Sequence, residues 1–148
     1  MSPAELIAKG WADLEVTHFS AASGPYWVRR DAEGVAVGLL SEEKHSNGHL
    51  GTVHGGVLMS FADIALGVRV TEAIGAPLCA TSQLSFSFVG AAIIGSFITC
   101  RPELVRKTSQ LVFVRGLFRA GDRTIGTADG IFSILDQAKL DGLRGSAG

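Results

Sequence analysis

Residues 55–73, GGVLMSFADIALGVRVTEA, read as one helix that is apolar on nearly every side. On a helical wheel Val57, Leu58, Phe61, Ile64, Ala65, Leu66 and Val68 point in almost every direction. Such a helix must be enclosed by the rest of the chain, because a surface helix needs one polar face. Gly55 and Gly56 open it, and Gly75 with Pro77 close it. The remaining residues therefore have to supply a wall.

They read as that wall. The stretch ATSQLSFSFV alternates, with Leu84, Phe86 and Phe88 on one side and Thr81, Gln83, Ser85 and Ser87 on the other. SFITCRPELV, SQLVFVRGLFR and TIGTADGIFSIL follow as further strands, and Pro102 marks a bulge or an edge position. Upstream, PYWVRRDAEGVAVGLL reads as a hairpin turning at Asp31–Gly34, with Val35, Val37 and Leu39 on one face. Short connections make the pairing antiparallel. Ser2-Pro3-Ala4-Glu5 is a capping box that starts a helix through about Leu14, within an N-terminal segment 1–15. The tail, 137–148, is expected to fray. The layout is α+β: one domain over 1–148, with a curved antiparallel sheet of five to six strands wrapped around a long central helix. A sheet this small leaves part of that helix unwalled, so a second copy of the chain is expected to complete the enclosure.

Composition narrows the function classes. Of 148 residues 47% are hydrophobic and 18% charged, with a net charge of −1. That balance excludes a disordered chain and gives no basic surplus for nucleic acid. No apolar run approaches the ~18 residues of a membrane span. The N-terminus lacks the basic and apolar regions of a secretory signal. Cys79 and Cys100 read as reduced core thiols of a cytoplasmic protein. Between Arg101 and Arg123 the positives Arg101, Arg106, Lys107, Arg115, Arg119 and Arg123 outnumber Glu103 and Asp122. They form either a solvated outer sheet face or a surface for a phosphate-bearing partner.

The chemistry is concentrated at TVHGGVLMSFADIALG. The first amides of a helix lack intrahelical partners and lie at the positive end of its dipole. Glycines at 55 and 56 let another group approach that backbone, either for packing or to receive an oxyanion. Asp63, set among Phe61, Ala62, Ile64 and Ala65, must be paired, face a polar crevice, or act as general base or nucleophile. Asp63 lies seven residues past Gly56, on the same helix face but ~10 Å along the axis at ~1.5 Å per residue. One helix therefore cannot aim both at a single carbonyl, since a base must act within ~3 Å. Two antiparallel helices across a two-fold axis can, with Gly55 of one chain facing Asp63 of the other.

At these residues the chain resembles the hotdog-fold acyl-CoA thioesterases, specifically the PaaI-like (phenylacetic acid degradation) branch. The shared pattern is an Asn-containing loop, GTVHGG, then LMSFADIALG with the acid nine residues after the histidine. The order of elements agrees from about residue 10 to 135. The resemblance implies hydrolysis of an acyl-CoA thioester to free acid and coenzyme A. Gly55 would polarise the thioester carbonyl through its N–H, while Asp63 of the opposing subunit attacks or activates water. His54 would hydrogen-bond the carbonyl side, Thr81 would position the water, and Asn47 would take the place of the loop asparagine. Asn47 stands seven residues before His54 where the pattern has six, so a one-residue bulge must be absorbed. Gly56 and Met59 would touch the substrate, and Arg106 and Lys107 would meet the phosphates of coenzyme A. The resemblance further implies that a dimer would form the site and that dimers would pair into a homotetramer. No metal and no redox cofactor is implied, since coenzyme A belongs to the substrate.

Two other readings stay open at this level. A non-catalytic acyl-CoA-binding or regulatory hotdog protein would keep the glycine loop without needing Asp63. A hotdog enoyl-thioester hydratase or dehydratase would pair a histidine with an acid in a different arrangement. Met59, Phe61, Phe86 and Phe88 either set the depth of the acyl pocket or pack the core, and aromatic, medium-chain and long-chain acyl groups all stay open at this level.

Overall fold

The computed structural model describes residues 1–146. In chain order the elements are α1 (Pro3–Ala8), β1 (Ala12–Asp13), α2 (His18–Ser23), β2 (Tyr26–Asp31) and β3 (Gly34–Leu40), followed by a 3-10 turn (Glu43–His45). Then come α3 (Gly55–Ile74), β4 (Cys79–Phe88), β5 (Phe97–Cys100), β6 (Glu103–Lys107), β7 (Leu111–Ala120), β8 (Arg123–Ile134) and α4 (Gln137–Ser146).

The strands form one antiparallel sheet in the order β1-β2-β3-β5-β7-β8-β4, with β6 also on β7. It curls around α3, the hotdog architecture. Leu58, Phe61, Ala62, Ala65, Leu66 and Val70 of α3 are buried against sheet residues such as Val37, Leu39, Ile98, Val112 and Phe118. Phe61 is the centre of this core, stacked on Tyr26 at 5.9 Å and edge-on to Phe118 at 5.2 Å between ring centroids. Each such side chain contributes about 1.5–3 kcal/mol by leaving water.

The sheet has eight strands rather than the five to six expected. The surplus comes from the two-residue β1 at the edge and from Pro102, which splits one strand into β5 and β6. Pairing runs on across the split without a slip, from Cys100↔Phe118 to Glu103↔Arg115. Beyond Pro102 the strand has β7 as its partner and no second neighbour among the described residues, the edge position that suits a residue without an N–H.

The N-terminal helix is shorter than the expected 1–15. Its capping box is present, with Ser2 Oγ accepting from Glu5 N–H at 3.3 Å. It ends at Ala8 because Gly10 takes a left-handed φ of +81°, a residue-type stop signal within the sequence itself. α1 then folds onto the outer sheet face, where Leu6 and Trp11 bury Trp27, Ala36 and Leu40. The β3 segment is consequently buried on both faces rather than alternating. The tail expected to fray instead forms α4 up to Ser146, started by Asp136, whose carboxylate accepts from Lys139 N–H at 2.7 Å. Residues 147–148 of that expected tail lie outside the described residues. Among the described residues no helix is long and apolar enough to cross a membrane.

Candidate active site

His54 is the N-cap of α3, and its Nδ1 accepts from Gly56 N–H at 2.8 Å. A Cβ on Gly56 would sit 3.1 Å from that nitrogen, so the glycine is what lets the ring fold back over the helix start. The Gly55 N–H, by contrast, has no acceptor among the described residues. The pair of glycines thus divides its work. Gly56 is spent on the cap, and Gly55 is left as a bare donor at the positive end of the dipole. A Cβ on Gly55 would press the Phe88 ring at 3.3 Å.

Gly55 opens into a cavity of about 470 Å³ that it shares with Asn47, Thr52, Leu58 and Phe88. The Asn47 backbone closes the loop, donating to Thr52 O at 2.7 Å and accepting from Leu50 N–H at 3.2 Å. No hydrogen bond occupies its side-chain amide among the described residues, so the extra loop residue is absorbed without using that group.

Asp63 lies on a different opening. Thr81 Oγ1, at the start of β4, donates to Asp63 Oδ1 at 2.5 Å. The two line a cavity of about 460 Å³ between the opposite edges of the curled sheet, walled by Leu14 and Val16 on one side and Pro77 and Cys79 on the other. Burial pushes the Cys79 thiol up from its ordinary range, and pushes the Cys100 thiol to about 12, so neither is an ionised nucleophile at neutral pH. Burial also raises the Tyr26 phenol, which bonds Ser23 Oγ at 2.8 Å, and the charge of Asp63 adds to that shift.

The candidate residues therefore fall into two groups within one chain. Asn47, His54, Gly55 and Gly56 gather at the head of α3, while Asp63 and Thr81 meet at the other cavity. Met59 lines neither cavity, and Phe61 belongs to the core. Arg106 and Lys107 are exposed on β6 and also line neither. Of the other cations in that stretch, Arg101 forks onto Asp31 with both contacts at 2.9 Å, and Arg115 pairs with Glu103 at 2.9 Å. Two of the six cations in the run, Arg101 and Arg115, are thus held in surface ion pairs. Among the described residues no three His, Cys, Asp or Glu side chains gather as metal ligands would.

One positioning residue escapes the sequence. His45 is 3% exposed, with Nδ1 accepting from Glu42 N–H at 2.9 Å and Nε2–H shared between Ser23 O at 2.9 Å and Gly24 O at 3.1 Å. The two carbonyls fix the tautomer. Its own carbonyl accepts from His54 N–H at 2.8 Å, which anchors the α3 cap to the protein interior. Burial lowers its pKa, Lys44 adds to that, and the two carbonyls and Glu42 oppose it. Its only signal is a histidine after charged residues in SEEKHSNG, which does not distinguish a buried ring from an exposed one.

Residues 50–127 match the sequence model of the Thioesterase superfamily. A Pseudomonas aeruginosa protein, PA0474, which carries an esterase name, is 31% identical over 113 residues, covering 75% of this chain and 84% of that one. A Bacillus halodurans protein solved with CoA is 25% identical with a TM-score of 0.61, covering 68% of this chain and 66% of that one. A variant of the phenylacetic acid degradation protein PaaI from Thermus thermophilus has the same fold, with a TM-score of 0.63 at 17% identity over 89% of this chain and 99% of that one.

Proposed function

The chain belongs to the Thioesterase superfamily, and from that premise we propose that it hydrolyses acyl-CoA thioesters at a site shared by two subunits. The observation that carries this reading is the separation of the two groups. A bare Gly55 amide stands at one cavity and an Asp63 held by Thr81 stands at another, eight residues or ~12 Å further along the same helix. Neither half suffices for acyl transfer, which needs an oxyanion donor and an attacking group on one carbonyl. Two antiparallel copies of α3 supply both.

In that dimer the thioester carbonyl oxygen meets the Gly55 N–H of one subunit. Asp63 of the other acts in one of two ways. Its free Oδ2 attacks the carbonyl carbon, the C–S bond breaks to release coenzyme A thiolate, and water then opens the mixed anhydride. Alternatively, Asp63 takes a proton from water as that water attacks, and the thiolate leaves from the tetrahedral intermediate. Thr81 donates to Asp63 Oδ1, so its role is to orient the carboxylate, while its oxygen can still accept from a water. His54 supports the donor by capping through Gly56. Asn47, with its amide unspent, faces the carbonyl side. Contact of Met59 with substrate, and of Arg106 and Lys107 with coenzyme A phosphates, requires a neighbouring subunit to bring those residues to the cleft. A pairing of dimers into a homotetramer and a cytoplasmic setting complete the proposal. The carboxylate favours hydrolysis over a purely binding role, and the CoA bound to the Bacillus halodurans relative supports the ligand class.

The test is thiol release from a panel of acyl- and aryl-CoA thioesters, with Asp63→Asn and Asp63→Ala beside the wild type. The wild type turns over at least one member, and both variants lose at least ~100-fold in kcat, the span of a general base. Full activity in Asp63→Asn, or no release from any member, refutes the reading.

A further inference from the structure

Gly67 sits in the middle of α3, where glycine is the poorest residue short of proline. Nothing in the packing demands it. A Cβ there would meet only Phe132 Cε1, at 3.7 Å, an ordinary contact. Its backbone is regular helix, so no left-handed φ requires it either. What an alanine would take is space, because Gly67 lines the 460 Å³ cavity that holds Asp63.

That cavity follows one face of α3. Asp63, Ile64, Gly67, Val68, Thr71 and Glu72 all line it, at the spacing of a single helical stripe. Its ends differ chemically. Asp63 and Thr81 form one end. At the other, nine residues or ~13 Å along the axis, Arg30 Nε of β2 meets Glu72 Oε1 at 2.6 Å. Ile64, Val68, Val16 and Phe132 make the lining between them mostly apolar, with Glu15 and Thr71 also on the wall.

We infer that this cavity is the acyl chamber, with Gly67 setting its width and the Arg30–Glu72 ion pair its length. The inference rests on the thioesterase reading above and adds the substrate class: thioesters of acyl groups that fit between Asp63 and Glu72. An extended chain covers ~3.5 Å for every three bonds, so ~13 Å admits roughly ten bonds beyond the carbonyl. The pair is solvent-exposed, with side-chain exposures of 59% for Arg30 and 32% for Glu72. A longer apolar chain must therefore lie against a hydrated ion pair, where its outer methylenes gain little burial and some of the pair's water is lost. The wall at Gly67 faces the middle of such a chain.

The experiment is a chain-length series from acetyl- to hexadecanoyl-CoA, read as kcat/KM, with melting temperature and oligomeric state measured for each variant. In the wild type kcat/KM rises to a medium-chain optimum and falls at hexadecanoyl. Gly67→Ala raises the melting temperature by about 2–4 °C, as alanine does inside a helix. It lowers kcat/KM for the optimal chain by about tenfold, the scale of one methyl group in a pocket, and lowers it by less for acetyl-CoA, whose chain is too short to reach that wall. Arg30→Leu with Glu72→Leu moves the optimum to longer chains. A flat length profile, or an equal loss on every chain in Gly67→Ala, overturns the inference while leaving the thioesterase reading intact. So does a change of oligomeric state in Gly67→Ala, which would assign the glycine to subunit packing. Absence of turnover on every chain removes both.

Discussion

Thr81 Oγ1 and Asp63 Oδ1 are joined by a 2.5 Å hydrogen bond that links the start of β4 to the middle of α3. A hydroxyl donating to one carboxylate oxygen fixes the carboxylate plane and leaves Oδ2 free to act. Thr81→Ala removes the donor and lets the carboxylate rotate. We expect kcat to fall by about 10–100-fold, the value of a hydrogen bond to a charged group, with stability little changed at this exposed position. Thr81→Ser retains the donor and most of the rate. Steady-state kinetics on both variants decide it, and equal losses would mean that the methyl group matters rather than the hydroxyl.

The His54–Gly56 contact makes a second, separable prediction. His54→Ala strips the cap from α3 and destabilises the fold by about 1 kcal/mol, whereas His54→Asn supplies another good capping acceptor and restores it. Because Nδ1 is committed to the cap, the histidine acts mainly through the helix start. We expect His54→Asn to keep kcat within a few-fold of wild type. Urea unfolding and kinetics are read together on the two variants. Intact stability with collapsed kcat in His54→Asn would place Nε2 directly on the substrate.

The parts of the fold legible in the sequence are those set by short-range periodicity. α3 shows itself because its apolar residues recur in every direction and glycines bracket it. β4 shows itself through Leu84, Phe86 and Phe88. The split between Gly55 and Asp63 needs only the rise of a helix. Features that depend on distant contacts were not legible. His45 is buried because Ser23 and Gly24 fold over it, and nothing local says so. The double burial of β3 depends on α1 doubling back, as Trp11 packs edge-on to Phe97 at 4.9 Å. α2 has no side-chain cap to betray it, as Thr17 makes no capping hydrogen bond. Two misses had visible signals: Gly10 ends α1, and Asp136 begins α4.

His45 gives the protein a pH dependence of defined sign. Burial lowers its pKa in the folded state, so on acidification the unfolded chain takes up the proton first, below about 6.5. The unfolded state then binds more protons than the native one, and stability rises with pH across that window. The contribution is complete above the unfolded value and is lost as pH falls toward the lower folded one. Urea midpoints at pH 7.5 and pH 5.5 should show the wild type weaker at the lower pH. His45→Gln, which cannot charge, should show a smaller difference, and an equal difference in both would clear His45 of the effect.

The shared site predicts complementation between two dead chains. Gly55→Val blocks the approach to the amide, because even a Cβ there meets Phe88 at 3.3 Å. Asp63→Asn removes the attacking group and leaves Gly55 untouched. If each site takes Gly55 from one subunit and Asp63 from the other, a mixed dimer holds one site with both lesions and one with neither. Co-expressing the two chains at equal levels gives half mixed dimers, each with one sound site of two. Recovery should therefore reach roughly a quarter of the wild-type rate for random pairing across a two-fold axis. A site built from a single chain permits no recovery at any ratio, because every chain carries one lesion in its own site. Pull-down through a tag carried by one of the two chains confirms that mixed dimers form, so a null rate from that fraction counts directly against the shared site.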